Sequence, residues 1–402
     1  MLRELLGLPG PLRALFASTA VLRLGAFVYP YLAIYLTRER GFSTLDAGWI
    51  LAAGGLGLML GNLVGGQMAD SVGRKTTLLC ALAINAAGYL ALLSPHETGT
   101  GYALSLGFAY LGMGMFTPAA QAAVSDLAPD SQRTLAYTGF YLSSNLGIAL
   151  GPLVGGILAS QSFTLVFVGD VVSTLICAAL LLLGLPGLSA KPGRSTTSPP
   201  PRALRAYGRH PRVVLVCAAG FFLTAPLMGL EYAVPLLVER EFAAPLHWVG
   251  VVYTINAVTI LICSFWLERT VRGKPELPFL MIAAVLWTTG LLVLGVGWSV
   301  AAILGSTLIW TLGEILTSIL IPSYVAGRVA PEVKGRFLAL VDLGRSTATL
   351  VAPVGLGYLW NSHGSRSAVG AILGVSVLGI AAFVTLNITR SKRAELLSGG
   401  AS

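Results

Sequence analysis

Apolar residues run along this chain in blocks of about 20, and polar residues are gathered into short intervals between the blocks. A helix rises about 1.5 Å per residue, so one block crosses the ~30 Å hydrocarbon core of a bilayer. Lipid offers backbone N–H and C=O groups no partner, and a helix satisfies its own. The pattern predicts twelve helices, over residues 14–36, 48–68, 76–94, 102–124, 134–159, 163–185, 213–237, 248–267, 277–297, 300–324, 337–360 and 367–388. Only Gly297, Trp298 and Ser299 separate the ninth from the tenth. The expected fold class is an all-α polytopic membrane protein.

Composition agrees: of 402 residues 55% are hydrophobic and 11% are charged, where a soluble domain carries roughly 25% charged. The charges also orient the chain, because Lys and Arg collect on the cytoplasmic side. With an even number of spans and the even-numbered connections inside, only Arg38, Arg40, Arg240 and Arg366 of the 26 Lys and Arg lie outside, and only Arg23 and Arg345 lie within spans. Both termini are then expected in the cytoplasm of a bacterial inner membrane. The net charge of +9 reads as an orientation signal and an attraction to anionic lipid headgroups; without a soluble basic domain it does not point to nucleic acid. Arg3, Glu4 and Arg13 precede the first block, with no small-residue cleavage site after it, so that block reads as an uncleaved span. Cys80, Cys177, Cys217 and Cys263 all fall in predicted helices without a CxxC pair and read as packing residues.

Residues 189–212 are the one long polar segment, with six bases and no acid. Rich in Pro, Ser and Gly, they read as a cytoplasmic linker between six-helix bundles at 1–188 and 213–402. The bundles look like copies about 200 residues apart. Phe42 matches Phe242, Gly73 matches Gly273, DLAPDSQR at 126–133 matches RVAPEVKGR at 328–336, and Pro152 matches Pro353. Duplicated halves with a midplane site between them are the architecture of secondary transporters, which expose that site to each side in turn.

The stretch GGQMADSVGRKTTLLC (65–80) places Gly66, Asp70, Gly73, Arg74 and Lys75 between the second and third spans. This G-x-x-x-D-x-x-G-R-K loop, the weaker copy VRGKP at 271–275, the twelve spans and the linker together resemble the major facilitator superfamily. Gly73 permits a tight turn, and Arg74 with Lys75 keeps the loop inside. The resemblance implies more: the Asp meets the N-terminal dipole of helix 11, the Arg meets an acid ending helix 4, and together they hold the inner gate shut while the cavity faces outward. Asp126 stands where that acid belongs. The bare alternative is a loop that only sets topology.

Helix 5 reads NLGIALGPLVGGIL, with Gly147, Gly151 and Gly155 at every fourth position. Such a row lets helices approach closely in lipid, as Gly57, Gly61 and Gly65 do in helix 2. With Pro152 and the Gly155-Gly156 pair added, it is similar to the helix 5 motif of drug–proton antiporters. Where that motif carries a further Gly, this chain has Thr138 beside Gly139. Helix 4 lacks the Arg that many of these antiporters carry, so a proton relay there does not transfer. The opening of helix 1, VLRLGAFVYPYLAIYL, resembles multidrug transporters of the lactococcal type.

An ionisable side chain within a span costs at least ~2.5 kcal/mol on insertion scales, so it faces a cavity or a partner. Glu314 lies near the midplane of helix 10, where desolvation penalises its charged form, as proton exchange near neutral pH requires. The alternative is a hydrogen-bonded structural acid. Glu231 lies in the outer half of helix 7 between Pro226 and Pro235, which break the helical ladder; it suits proton or cation binding, or a gate. Arg23, the lone base of helix 1, suits an anionic substrate group or a nearby acid. Asp342 and Arg345, three apart on helix 11, can pair near the cytoplasmic end and suit the inner gate. Asp170 in helix 6 reads as structural.

Tyr29, Tyr31, Tyr141, Asn145 and Trp310 lie on helices 1, 5 and 10, which line the cavity in the resembled family; packing is the alternative for each. Adaptable apolar pockets suit varied lipophilic compounds. No GxxxxGK[ST] sequence is present, and His96, His210, His247 and His363 lie in connections, so neither ATP hydrolysis, an enzyme, a metal nor a cofactor is expected. The favoured function is proton-coupled export of a lipophilic small molecule by a monomer. An uptake symporter or a lipid translocator of the same fold is the alternative; a non-transporting receptor is a third class.

Overall fold

The polar intervals both start and stop the helices. Ser43, Ser162 and Ser299 each accept a backbone N–H of the following turn, as N-caps do. Gly73 and Gly273 turn the chain with φ of 113° and 72°, a region that favours glycine; they occupy matching places in the two copies. The computed structural model describes residues 5–129, 132–185, 207–329 and 331–399, and they contain no β-strand. The blocks form twelve long helices among these residues: α1 (Gly10–Leu24), α2 (Thr44–Ser71), α3 (Arg74–Leu93), α4 (Gly99–Leu127), α5 (Arg133–Gln161), α6 (Phe163–Gly184), α7 (Pro211–Leu236), α8 (His247–Val271), α9 (Glu276–Gly297), α10 (Val300–Ala326), α11 (Pro331–His363) and α12 (Ser365–Gly399).

Two helices differ from the expected uniform spans. The first block, expected unbroken over 14–36, stops at Leu24 and resumes as a 3-10 turn at Tyr29–Tyr31, ending in a π-turn at Tyr35–Glu39. Pro30 has no N–H to offer a regular ladder. Eleven helices among the described residues are long and apolar enough to cross a membrane, the first counted through Glu39. The remaining expected span, α11, is a long helix but not a uniformly apolar one: Asp342, Arg345, Ser346, Thr347 and Thr349 interrupt its middle.

The chain divides into two compact units, Met1–Ser198 with Val238–Ala257, and Pro199–Leu237 with Val258–Ser402. Residues 189–206 of the expected linker lie outside the described residues. In the first unit α1 packs on α5 and α6, α3 on α4 and α6, and α2 on α4. In the second α7 packs on α11 and α12, and α9 on α10 and α12. Four of the five pairings therefore recur six helices later, the packing counterpart of the sequence repeat. Residues 238–257 group with the first unit because the beginning of α8 lies on α5: Thr254 Oγ1 donates to the Ala149 carbonyl at 3.1 Å, and a Cβ on Gly250 would come within 2.7 Å of Leu153 Cα.

Side chains such as Leu183, Leu104, Trp266 and Val296 stand exposed. Large apolar surface of this kind needs a nonaqueous neighbour, which lipid supplies. The interior of the first unit is apolar at one end, where Leu12, Leu15, Leu78, Phe116, Ala123 and Leu181 close together. Beyond it the same helices enclose polar groups. Cys177 and Cys217 are buried and Cys80 and Cys263 half-buried, all free thiols.

Candidate functional site

The loop after α2 builds a compact charge cluster. Arg74, the first residue of α3, is buried; its Nη1 lies 2.7 Å from Asp70 Oδ1 and its Nε 3.2 Å from Asp126 Oδ2 at the end of α4. The guanidinium also donates to the carbonyl of Ala69. One planar fork thus ties the end of α2, the start of α3 and the end of α4 together, a geometry that a lysine ammonium does not reproduce. Lys75 Nζ donates to the carbonyls of Leu182 and Leu185 at 2.8 and 2.6 Å, placing a cation at the negative end of α6. A Cβ on Gly66 would meet nothing within 4 Å, so its backbone has room for a side chain.

The second unit repeats this cluster with its charges exchanged. Glu276 opens α9 and Arg328 follows α10, and their side chains meet at 2.9 Å, with the guanidinium 3.7 Å from the Tyr324 ring centroid. In the repeat alignment Arg328 corresponds to Asp126. The weak VRGKP copy concealed this pair, although the APD and APE landmarks could have located it. Arg345 is exposed on α11, and the side chain of Asp342 lies outside the described residues.

The glycine face of α5 lies on α1. A Cβ on Gly147 would come within 2.5 Å of Arg23 Cβ, one on Gly151 within 2.7 Å of the Leu24 carbonyl, and one on Gly155 within 3.0 Å of the Tyr31 ring. A Cβ on Gly156 would meet the Tyr31 hydroxyl and His247 Cα. Tyr31 itself is buried and donates to the carbonyl of Pro152 at 2.6 Å, filling a structural place. Gly139 extends the row, with Phe16 2.6 Å from its hypothetical Cβ. In the other seam of this unit, a Cβ on Gly65 of α2 would come within 2.5 Å of Met115 Cα on α4.

The remaining candidates occupy separate surroundings. Arg23 is half-buried, its Nη2 donating to Thr117 Oγ1 of α4 at 3.3 Å. Tyr29 stacks on Tyr110 with centroids 6.2 Å apart. Tyr141 is 60% exposed, and the amide of Asn145 donates back to its carbonyl at 2.9 Å. These two present polar groups on the open side of α5. In the second unit Trp310 is buried, stacked on Trp287 at 5.1 Å. Glu314, one turn on, is half-buried and follows Gly313, which packs against Trp287. Glu231 is half-buried on α7, amid buried neighbours from Gly229 to Leu236.

Sequence reasoning missed a small, mostly apolar cavity within the first unit onto which four polar side chains open. Arg23 of α1, Asn85 and Tyr89 of α3 and Asp170 of α6 line a cavity of about 30 Å³. Asn85 and Tyr89 lie one turn apart on α3, but Arg23 and Asp170 come from two other helices, so no linear spacing gathers all four. Among the described residues no group of His, Cys, Asp or Glu is suited to hold a metal ion.

Twelve long helices in two repeating units, with the charge cluster after α2, define a transporter of the secondary type. The sequence profile of the Major Facilitator Superfamily matches residues 15–353, and the chain belongs to that superfamily. It is 23% identical over 360 residues to the uncharacterized MFS-type transporter YttB of Bacillus subtilis (strain 168), covering 89% of each chain. A Na(+), Li(+), K(+)/H(+) antiporter of Planococcus maritimus is 24% identical over 82% of this chain and 84% of its own. The multidrug resistance protein MdtH of Enterobacter sp. (strain 638) is 23% identical over 92% and 91%. Among solved structures, a point mutant of the nucleoside transporter NupG matches with a TM-score of 0.76 at 14% identity, covering 94% of this chain and all of that one, a likeness of fold.

Proposed function

We propose that this transporter exports lipophilic small molecules in exchange for protons, working as a monomer in a bacterial inner membrane with both termini in the cytoplasm. The observation that carries the reading is the α5 face, in the pattern of drug–proton antiporters: Gly147 and Gly151 hold α1 and Arg23 at backbone distance, while Pro152, Gly155 and Gly156 meet Tyr31 beyond the end of α1. Relatives whose names include a cation/proton antiporter and a multidrug resistance protein support it.

In this reading Glu314 and Glu231 are the proton carriers, being half-buried acids in apolar helices. Arg23, Tyr29, Tyr141 and Asn145 contact substrate, while Tyr31 and Trp310 pack within their own units, on Pro152 and Trp287. Protons reach the acids from outside, substrate is displaced outward, and the protons leave to the cytoplasm after the bundles rock. Gly66, Asp70, Gly73, Arg74, Lys75 and Asp126, with Asp342 and Arg345, form the inner gate. The bundles are 1–188 and 213–402, joined by the basic segment 189–212.

The test is dye efflux in inverted vesicles under an imposed pH gradient, comparing the native chain with Glu314→Gln. Gradient-dependent movement that the variant loses, while it still binds dye, supports antiport through Glu314. Movement indifferent to the gradient, or an unaffected variant, favours a symporter or a lipid translocator.

A further inference from the structure

Asp170 has no task in the reading above, yet its surroundings are unusual. It lies about 10 Å into α6 from Phe163, at 1.5 Å per residue, and is 3% exposed. Its Oδ2 accepts the backbone N–H of Val28 at 3.5 Å, at the long limit for such a bond. Val28 belongs to the gap where α1 stops, and the neighbouring Phe27 N–H is also donated to the Gly25 carbonyl at 2.7 Å. A Cβ on Gly25 would overlap the Ser173 side chain, one turn along α6 from Asp170. The break in α1 is therefore moored on α6 at one carboxyl and one glycine contact.

The same carboxyl is one of four polar side chains, with Arg23, Asn85 and Tyr89, that line an otherwise apolar cavity of about 30 Å³, room for about two waters at ~15 Å³ each. The charged or titratable groups around it are Arg23 from α1 and Tyr89 from α3, with Tyr110 of α4 beyond Tyr89. From α5 it is Leu158 that approaches, beside Gly169. A fixed anion in such a place would need strong donors, and its contact with the Val28 N–H is long; a permanently neutral acid would need no water-sized cavity beside it. A carboxyl that changes charge uses that cavity.

We propose that Asp170 is a further proton-binding site, which takes its proton from water in this cavity and thereby loosens the outer segment of α1 from α6. One proton passes from cavity water to a carboxylate oxygen and is replaced from solvent, with no other bond made or broken. The neutral acid is a weaker acceptor for the Val28 N–H than the carboxylate, so the mooring slackens on protonation. The proposal rests on the proton-coupled reading and adds a site in the first unit to the acids of the second.

The test needs no substrate, so a failed efflux assay leaves it legible. Infrared difference spectra of the purified chain in lipid, recorded against pH, read protonated carboxyl groups directly. Asp170→Asn should remove one component of that band, distinct from the one removed by Glu314→Gln. Asp170→Glu, which keeps the acid should the amide fold poorly, should shift its frequency. Labelling of Ala26→Cys, relative to the exposed Glu97→Cys, should rise as pH falls in the native background and stay flat with Asp170→Asn. Spectra unchanged by both Asp170 variants overturn the proposal. So does a band that follows Na⁺ at fixed pH, which would make this a metal-cation site.

Discussion

Arg74 is shared between Asp70, 40% exposed, and Asp126, 18% exposed, and removing it takes a charge partner from both carboxylates. Arg74→Ala should destabilise the detergent-solubilised protein by about 3 kcal/mol, the low end for a buried pair, because Asp70 is open to solvent; chemical denaturation of the purified protein reads it. Arg74→Lys retains the charge that sets topology but loses the fork. A loop that only orients the chain predicts Lys indistinguishable from Arg, whereas a latch predicts most of the alanine effect. Glycines separate in the same way. Gly66→Ala enters open space and should be neutral, but Gly147→Val meets Arg23 and the Leu24 backbone and should cost about 1–3 kcal/mol by overpacking, visible as lost monodisperse yield. Tyr31→Phe removes one buried hydrogen bond to Pro152 and should cost about 1 kcal/mol in thermal stability.

Helices follow from the sequence more completely than their interruptions do. Apolar blocks bounded by Ser caps and glycine turns locate all twelve, because length and capping are local properties. The stop in α1 was not legible. Gly25 and Pro30 allow it, but the break is tied to Asp170 and leaves Gly25 packed against Ser173, and the Val28–Asp170 bond spans 142 residues of sequence. Gly25→Ala should therefore injure α1 more than an alanine normally would, since its Cβ overlaps Ser173. The added Ser173→Gly change should recover part of the loss in thermal unfolding. Similarly, the row of small residues on α5 announced a close neighbour without naming it, and α1 is the neighbour found. The exchanged pair Glu276 and Arg328 was hidden because the second copy preserved the position of an ion pair rather than its signs.

Orientation is a property of the whole molecule. The positive-inside pattern predicts that, with Cys80, Cys177, Cys217 and Cys263 replaced by Ala, an impermeant maleimide labels Glu97→Cys in intact cells and Gly208→Cys only in inverted vesicles. The opposite result would reverse the direction assigned to export. The recurrence of four helix pairings six helices apart is the three-dimensional form of the landmarks from Phe42/Phe242 to Pro152/Pro353. The grouping of residues 238–257 with the first unit is what no linear landmark marked. By itself the sequence determined that this is a polytopic helical transporter built from two copies, because membrane insertion responds to local hydropathy and to the count of bases between blocks. Only the tertiary structure decided which helices the glycine rows join, where α1 breaks, and that Arg23, Asn85, Tyr89 and Asp170 share one chamber. Those relations depend on side chains from distant segments meeting in a packed bundle, and periodicity along one helix carries no information about the residue that faces it.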